Sequence, residues 1–103
     1  MKQREHDARE RERIRVLGCV RECLVDLLPA GSRVWIYGSL IRPGRFHDAS
    51  DLDLALEDDD GRFNLAHLMN ELSRRTGRSV DLCRLSETRL AQAIQREGER
   101  WTL

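Results

Sequence analysis

The stretch Asp51-Leu52-Asp53-Leu54-Ala55-Leu56-Glu57 alternates without a break, and this constrains the fold more than anything else in the chain. A β-strand turns successive side chains to opposite faces. Leu52, Leu54 and Leu56 therefore share one face, and Asp51, Asp53, Ala55 and Glu57 share the other. The segment predicts a half-buried strand over 51–57, with a core on one side and acid on the other.

The rest of the chain supplies partners for such a strand. Residues 4–28 predict a helix, with Ile14, Leu17, Val20, Leu24 and Leu27 at steps of three and four and Pro29-Ala30-Gly31 ending it. Its first turns, within residues 1–13, are almost wholly charged and are expected to be solvated and frayed. RVWIY at 33–37 predicts a second strand closed by Gly38, and Ser39 to Ser50 a turn and loop. Glu57 to Gly61 reads as an acidic turn, followed by a helix from about Phe63 to Thr76. Leu65, Leu68, Met69 and Leu72 would face inward there, with Gly77 at the C-cap. SVDLC at 79–83 predicts a third strand, central and largely buried. Ser86 is placed to cap a last helix, with Leu90, Ala93 and Ile94 inward and Gly98 at its end. The expectation is one α/β (α+β) domain over 1–103, a short mixed sheet covered by helices.

Composition removes several functions. Lys plus Arg and Asp plus Glu are 18 each, which argues against a global basic field holding nucleic acid as the main substrate and leaves only a local basic patch for that role. Lys2 is the sole lysine, which excludes Schiff-base and Walker-type chemistry further along the chain. The charged N-terminus has no apolar stretch typical of a signal peptide, and no apolar run approaches the roughly 18 residues of a membrane span. Cys19, Cys23 and Cys83 form neither a CxxC pair nor a cysteine–histidine pattern. Cys19 and Cys23 read as small buried hydrophobes, and a reduced, cytoplasmic setting is expected.

The chemistry is sought in the acids. Residues 48–60 hold seven acidic and no basic side chains. Asp58 to Asp60 read as a solvated loop, but Asp51 and Asp53 aim their carboxylates to one face, about 7 Å apart. Such like charges repel and raise each other's pKa unless a cation sits between them, and a hard divalent ion with oxygen ligands suits them. Asp81, if its strand neighbours 51–57, projects on the same face, and three carboxylates then form the ligand set of a two-Mg²⁺ phosphoryl-transfer site. The alternative for Asp81 alone is an edge-strand acid paired with one of the many arginines. Gly38-Ser39 ends a strand with backbone N–H groups free to cradle phosphate, and Arg42 and Arg45 are forked donors in the same loop. His47 reads as an ordinary surface histidine.

Gly38-Ser39, then eleven residues, then Asp51-Leu52-Asp53, then Val80-Asp81-Leu82 in a later strand, resembles the DNA polymerase β-type nucleotidyltransferase superfamily. The wording Ser50-Asp51-Leu52-Asp53-Leu54 and the ending Ala93 to Gly98 resemble its minimal nucleotidyltransferases, the MNT proteins. The resemblance implies that Gly38 and Ser39 hold the terminal phosphates of ATP. It also implies that Asp51 and Asp53 ligate two Mg²⁺ ions, that Asp81 binds the catalytic ion, and that Arg42 assists the nucleotide. Pro43 separates Arg42 from Gly44, which the family usually keeps adjacent. By the same resemblance the protein transfers AMP to a hydroxyl of a partner protein, as the antitoxin of a HEPN-type toxin. A chain this short leaves no second domain to close over a small acceptor, which also favours a protein partner. The alternatives are an antitoxin acting by binding alone and a nucleotidyltransferase acting on a small molecule.

Overall fold

The computed structural model describes residues 2–57, 61 and 63–103. Helix α1 (Lys2–Leu27) leads into strand β1 (Arg33–Tyr37), a 3₁₀ turn at Gly38–Ile41 and strand β2 (Leu52–Glu57). Helix α2 (Leu65–Thr76) and strand β3 (Val80–Arg84) follow. A second 3₁₀ turn (Leu85–Glu87), helix α3 (Ala91–Glu97) and strand β4 (Glu99–Thr102) complete the order. The acidic run at 58–60, read above as a solvated turn, lies outside the described residues. Among the described residues no helix is long and apolar enough to cross a membrane.

The strands form one mixed sheet in the order β3-β2-β1-β4. β1 runs antiparallel to both β2 and β4, whereas β2 and β3 are parallel and joined through α2. The fold is α/β, as expected. Leu52, Leu54 and Leu56 turn to one face and pack with Val34 and Ile36 against Val16, Val20 and Leu24 of α1 and Leu68 and Leu72 of α2. Burial of these aliphatic groups is the main force holding both helices to the sheet, at about 1.5–3 kcal/mol for each fully buried side chain. Asn64 caps α2 by accepting from the His67 N–H, and Gly77 ends it in the left-handed conformation at φ 74°. The opposite face carries a smaller apolar cluster of Ala55, Leu85 and Ile94, edged by Trp35, Tyr37, Cys83 and Ala91. α3 thus covers the middle of the face that bears the acids.

Several expectations are corrected. Ile14 is 58 % exposed, and the buried stripe of α1 runs through Val16, Val20, Cys23, Leu24 and Leu28. Cys23 is buried as expected; Cys19 is partly buried and donates its thiol to the Arg75 carbonyl at 3.3 Å. Ser86 sits in the second 3₁₀ turn and caps nothing; α3 starts at Ala91, with Leu90 as a cap residue 57 % exposed. Four residues after Gly98 form β4, which the sequence reading missed. β3, which carries Asp81, pairs with β2 alone and is therefore an edge of the sheet, not its centre as expected; β4 forms the opposite edge, beside β1. Asp81 is consequently exposed.

Candidate active site

The register of the sheet builds one end of this acid-bearing face. Asp53 stands opposite Tyr37 in β1 and opposite Asp81 in β3, so the three side chains form a row on one face. Asp51 precedes β2 by one residue and lies outside the strand ladder, exposed. Asp81 lies on an edge strand, as its alternative reading assumed, but among the described residues no ion pair engages it. Burial, together with the charges of Asp81 and Asp51, pushes the Asp53 carboxyl up to about 6.

Gly38 closes the site from below. Its φ of 76° lies in the left-handed region, and a Cβ there would overlap Oδ2 of Asp53. The 3₁₀ turn that follows brings Ser39 round beside this contact, with the Arg42 N–H donating to the Ser39 carbonyl at 3.0 Å. Arg13 of α1 anchors the same turn by donating to the Leu40 carbonyl at 2.9 Å. Arg42 is exposed and reaches Glu97 of α3, Nη2 to Oε2 at 3.4 Å. Arg45 and His47 are exposed, and the His47 Nδ1 accepts from the Ala49 N–H at 3.2 Å.

Two groups at the site escaped the sequence reading. Tyr37 contacts Cys83, hydroxyl to sulfur at 3.9 Å, and burial above all pushes its pKa upward, so it remains protonated. Its place beside Gly38-Ser39 in the sequence was the available signal. Arg78 is the other: its guanidinium donates to the His47 and Ser50 carbonyls just before Asp51, and nothing in the sequence around it marks it out.

The donor set suits a hard divalent ion: carboxylate oxygens, one of them half-buried and destabilised as an anion. Among the described residues no three acidic, histidine or cysteine side chains close on a common point. Mg²⁺ commonly binds through one or two carboxylates, completing its shell with water and substrate phosphates, and the row of Asp53 and Asp81 flanked by Asp51 fits that pattern.

Comparison with known proteins agrees with this geometry. A family model described as "Polymerase beta, Nucleotidyltransferase" matches residues 30–100, which include Gly38, Ser39 and all three aspartates. The fold is similar to a chain in the crystal structure of a toxin–antitoxin with AMP-PNP. The TM-score is 0.68 at 26% identity, over 84% of this chain and 73% of that one. It is also similar in fold to a chain of the toxin–antitoxin MntA-HepT. There the TM-score is 0.59 at 24% identity, over 82% of this chain and 68% of that one. No protein of curated function matches. With a family match over well beyond half its length, the chain belongs to the polymerase beta nucleotidyltransferase family.

Proposed function

We propose that this nucleotidyltransferase moves AMP from ATP to a hydroxyl of a partner protein, with Mg²⁺ bound at Asp51, Asp53 and Asp81. The same proposal makes it the antitoxin of a toxin–antitoxin pair, with a HEPN-type toxin as that partner. The carrying observation is the row of Asp53 and Asp81 in register, with Gly38 packed directly against Asp53. The toxin–antitoxin structure with AMP-PNP, similar over most of this chain, supports both the nucleotide and the protein partner.

In this reading Mg²⁺ supplies charge neutralisation of the triphosphate and a lowered pKa for the attacking hydroxyl. Asp51, Asp53 and Asp81 hold that charge in place. Gly38 and the backbone after it leave room for the phosphates, and the Ser39 hydroxyl donates to them. The acceptor oxygen forms a bond to the α-phosphorus as the bond to the bridging oxygen breaks, and pyrophosphate leaves along the 3₁₀ turn. Asp81, exposed at the sheet edge, is the carboxylate an incoming acceptor reaches first, and it takes the hydroxyl proton. An open edge rather than a closed pocket suits an acceptor that brings its own surface. Positioning and charge stabilisation carry the reaction, since no protein nucleophile is required.

Intact-mass measurement of a co-expressed toxin, purified with this protein, tests the reading. Addition of one or more AMP units in the presence of Mg²⁺ and ATP is expected, and an unmodified partner contradicts it. An antitoxin that works by binding alone is the second reading. The pair of Arg42 with Glu97 is the observation on its side, since the arginine that the resemblance assigns to the nucleotide turns to α3 in this structure, though in an exposed pair a phosphate can displace.

A further inference from the structure

We infer that Arg78 is a positioning residue for Asp51, fixing the one site carboxylate that the sheet does not hold. The inference rests on the proposed nucleotidyl transfer and names a part of its site. Asp53 and Asp81 are set by strand pairing, whereas Asp51 lies just outside β2 at the end of the connection from β1. A residue in that place needs another support, and Arg78 supplies it. Its Nη1 donates to the carbonyl of His47 at 2.9 Å and to the carbonyl of Ser50 at 3.1 Å. The Ser50 carbonyl belongs to the peptide that leads directly into Asp51.

The guanidinium also lies over the ring of Phe46, 4.1 Å from its centroid, and Phe46 is buried in the main core. The cation is therefore held by a core aromatic under its Cζ and by two loop carbonyls at Nη1. Ser50 is itself buried and tied back into the loop: its N–H donates to the His47 carbonyl, and its hydroxyl accepts from the His47 N–H, both at 2.9 Å. On the far side of Asp51, the Leu52 N–H donates to the carbonyl of Ser79 at 2.9 Å. Adjacent residues 78 and 79 thus grip the backbone on both sides of Asp51. Gly77, ending α2 at φ 74°, turns the chain so that Arg78 emerges at this point.

The chemistry asks for arginine specifically. A planar, forked cation can stack on a ring while donating to two carbonyls, whereas a lysine ammonium cannot do both. Loss of the grip would leave Asp51 present but loosely aimed. Outer partners of metal ligands typically change metal affinity by about 10–100-fold when removed.

The test uses the full chain as wild type, Arg78→Lys and Arg78→Gln, with Arg74→Gln, in the last turn of α2, as a control that should behave as wild type. Amide hydrogen exchange without nucleotide is read first. Ser50 and Leu52 should lose protection in Arg78→Gln while the amides of β1 keep theirs. The Mg²⁺ concentration for half-maximal AMP transfer should then rise about tenfold or more in Arg78→Gln, with KM for ATP nearly unchanged and much of the rate recovered at high Mg²⁺. Arg78→Lys should recover little of the loss. A Mg²⁺ requirement equal to wild type in Arg78→Gln overturns the inference while leaving the proposed function standing. A wild-type protein inert to Mg²⁺ and ATP overturns both.

Discussion

Gly38 carries two constraints that no other residue type meets together, a positive φ and direct contact with a carboxylate of the site. Gly38→Ala should therefore cost about 1–3 kcal/mol of stability, read as a lower melting temperature, and should abolish ATP-dependent stabilisation. A variant with normal melting and a normal response to Mg²⁺ and ATP would contradict the placement of Asp53 beside the turn. Asp53 makes the second residue-scale case. Its carboxyl is raised to about 6 in the folded protein by burial and by Asp81 and Asp51, against an ordinary value near 3.8. Folding then favours the protonated form, so this group's contribution is fully present below the ordinary value and is lost as pH rises through about 6. Metal-free wild type should lose stability across that window, and Asp53→Asn should remove this dependence and melt higher at neutral pH. The same variant should lose the shift that Mg²⁺ plus ATP gives wild type. A wild-type protein unaffected by pH between 4 and 6 would show that the acids are not mutually strained.

At the scale of elements, β4 shows best what the sequence did and did not reveal. β2 was legible because leucine at each second position has one structural meaning, and α2 because its apolar period and Gly77 agree. β4 has four residues, three of them exposed and polar, and a single buried Trp101, too little pattern to distinguish a strand from a tail. Asp81 was expected at the sheet's centre for a separate reason: a short apolar strand does not show how many neighbours it has, and β3 pairs with β2 alone. Asp81 could still be put on the right face, because facing depends on alternation alone. The hold on Asp51 was illegible for another reason. Arg78 acts on backbone carbonyls more than 25 residues away, and such contacts leave no local spacing to read. β4 is joined to β2 through Glu57, which accepts from Arg100 at 2.9 and 3.0 Å and from the Trp35 indole at 2.6 Å. Trp101 packs into the main core on the other face beneath Arg21, whose guanidinium lies 4.2 Å from the ring centroid. Trp101→Ala should cost about 3–5 kcal/mol in a denaturant titration. A loss under about 1 kcal/mol would mean that β4 is not part of the folded core.

On the scale of the whole molecule, the sheet separates structure from chemistry by face. Both long helices bury the leucine face, while the other is covered only at its middle by α3 and ends in an open row of acids. That arrangement leaves Asp81 at an accessible edge, where a macromolecular acceptor can approach. The central claim is that these acids perform transfer and not merely binding, and Asp81→Asn tests it most directly. The substitution is nearly isosteric on an exposed edge, so the strand and any partner surface remain. It removes the carboxylate assigned to receive the acceptor's proton, and AMP transfer should fall by orders of magnitude. The measurement is protection of growth when wild type or Asp81→Asn is co-expressed with the toxin, alongside a pull-down of the pair. The account predicts that Asp81→Asn still associates with the toxin, leaves it without AMP, and fails to protect. Full protection by Asp81→Asn, with the toxin unmodified, would contradict it and establish neutralisation by binding.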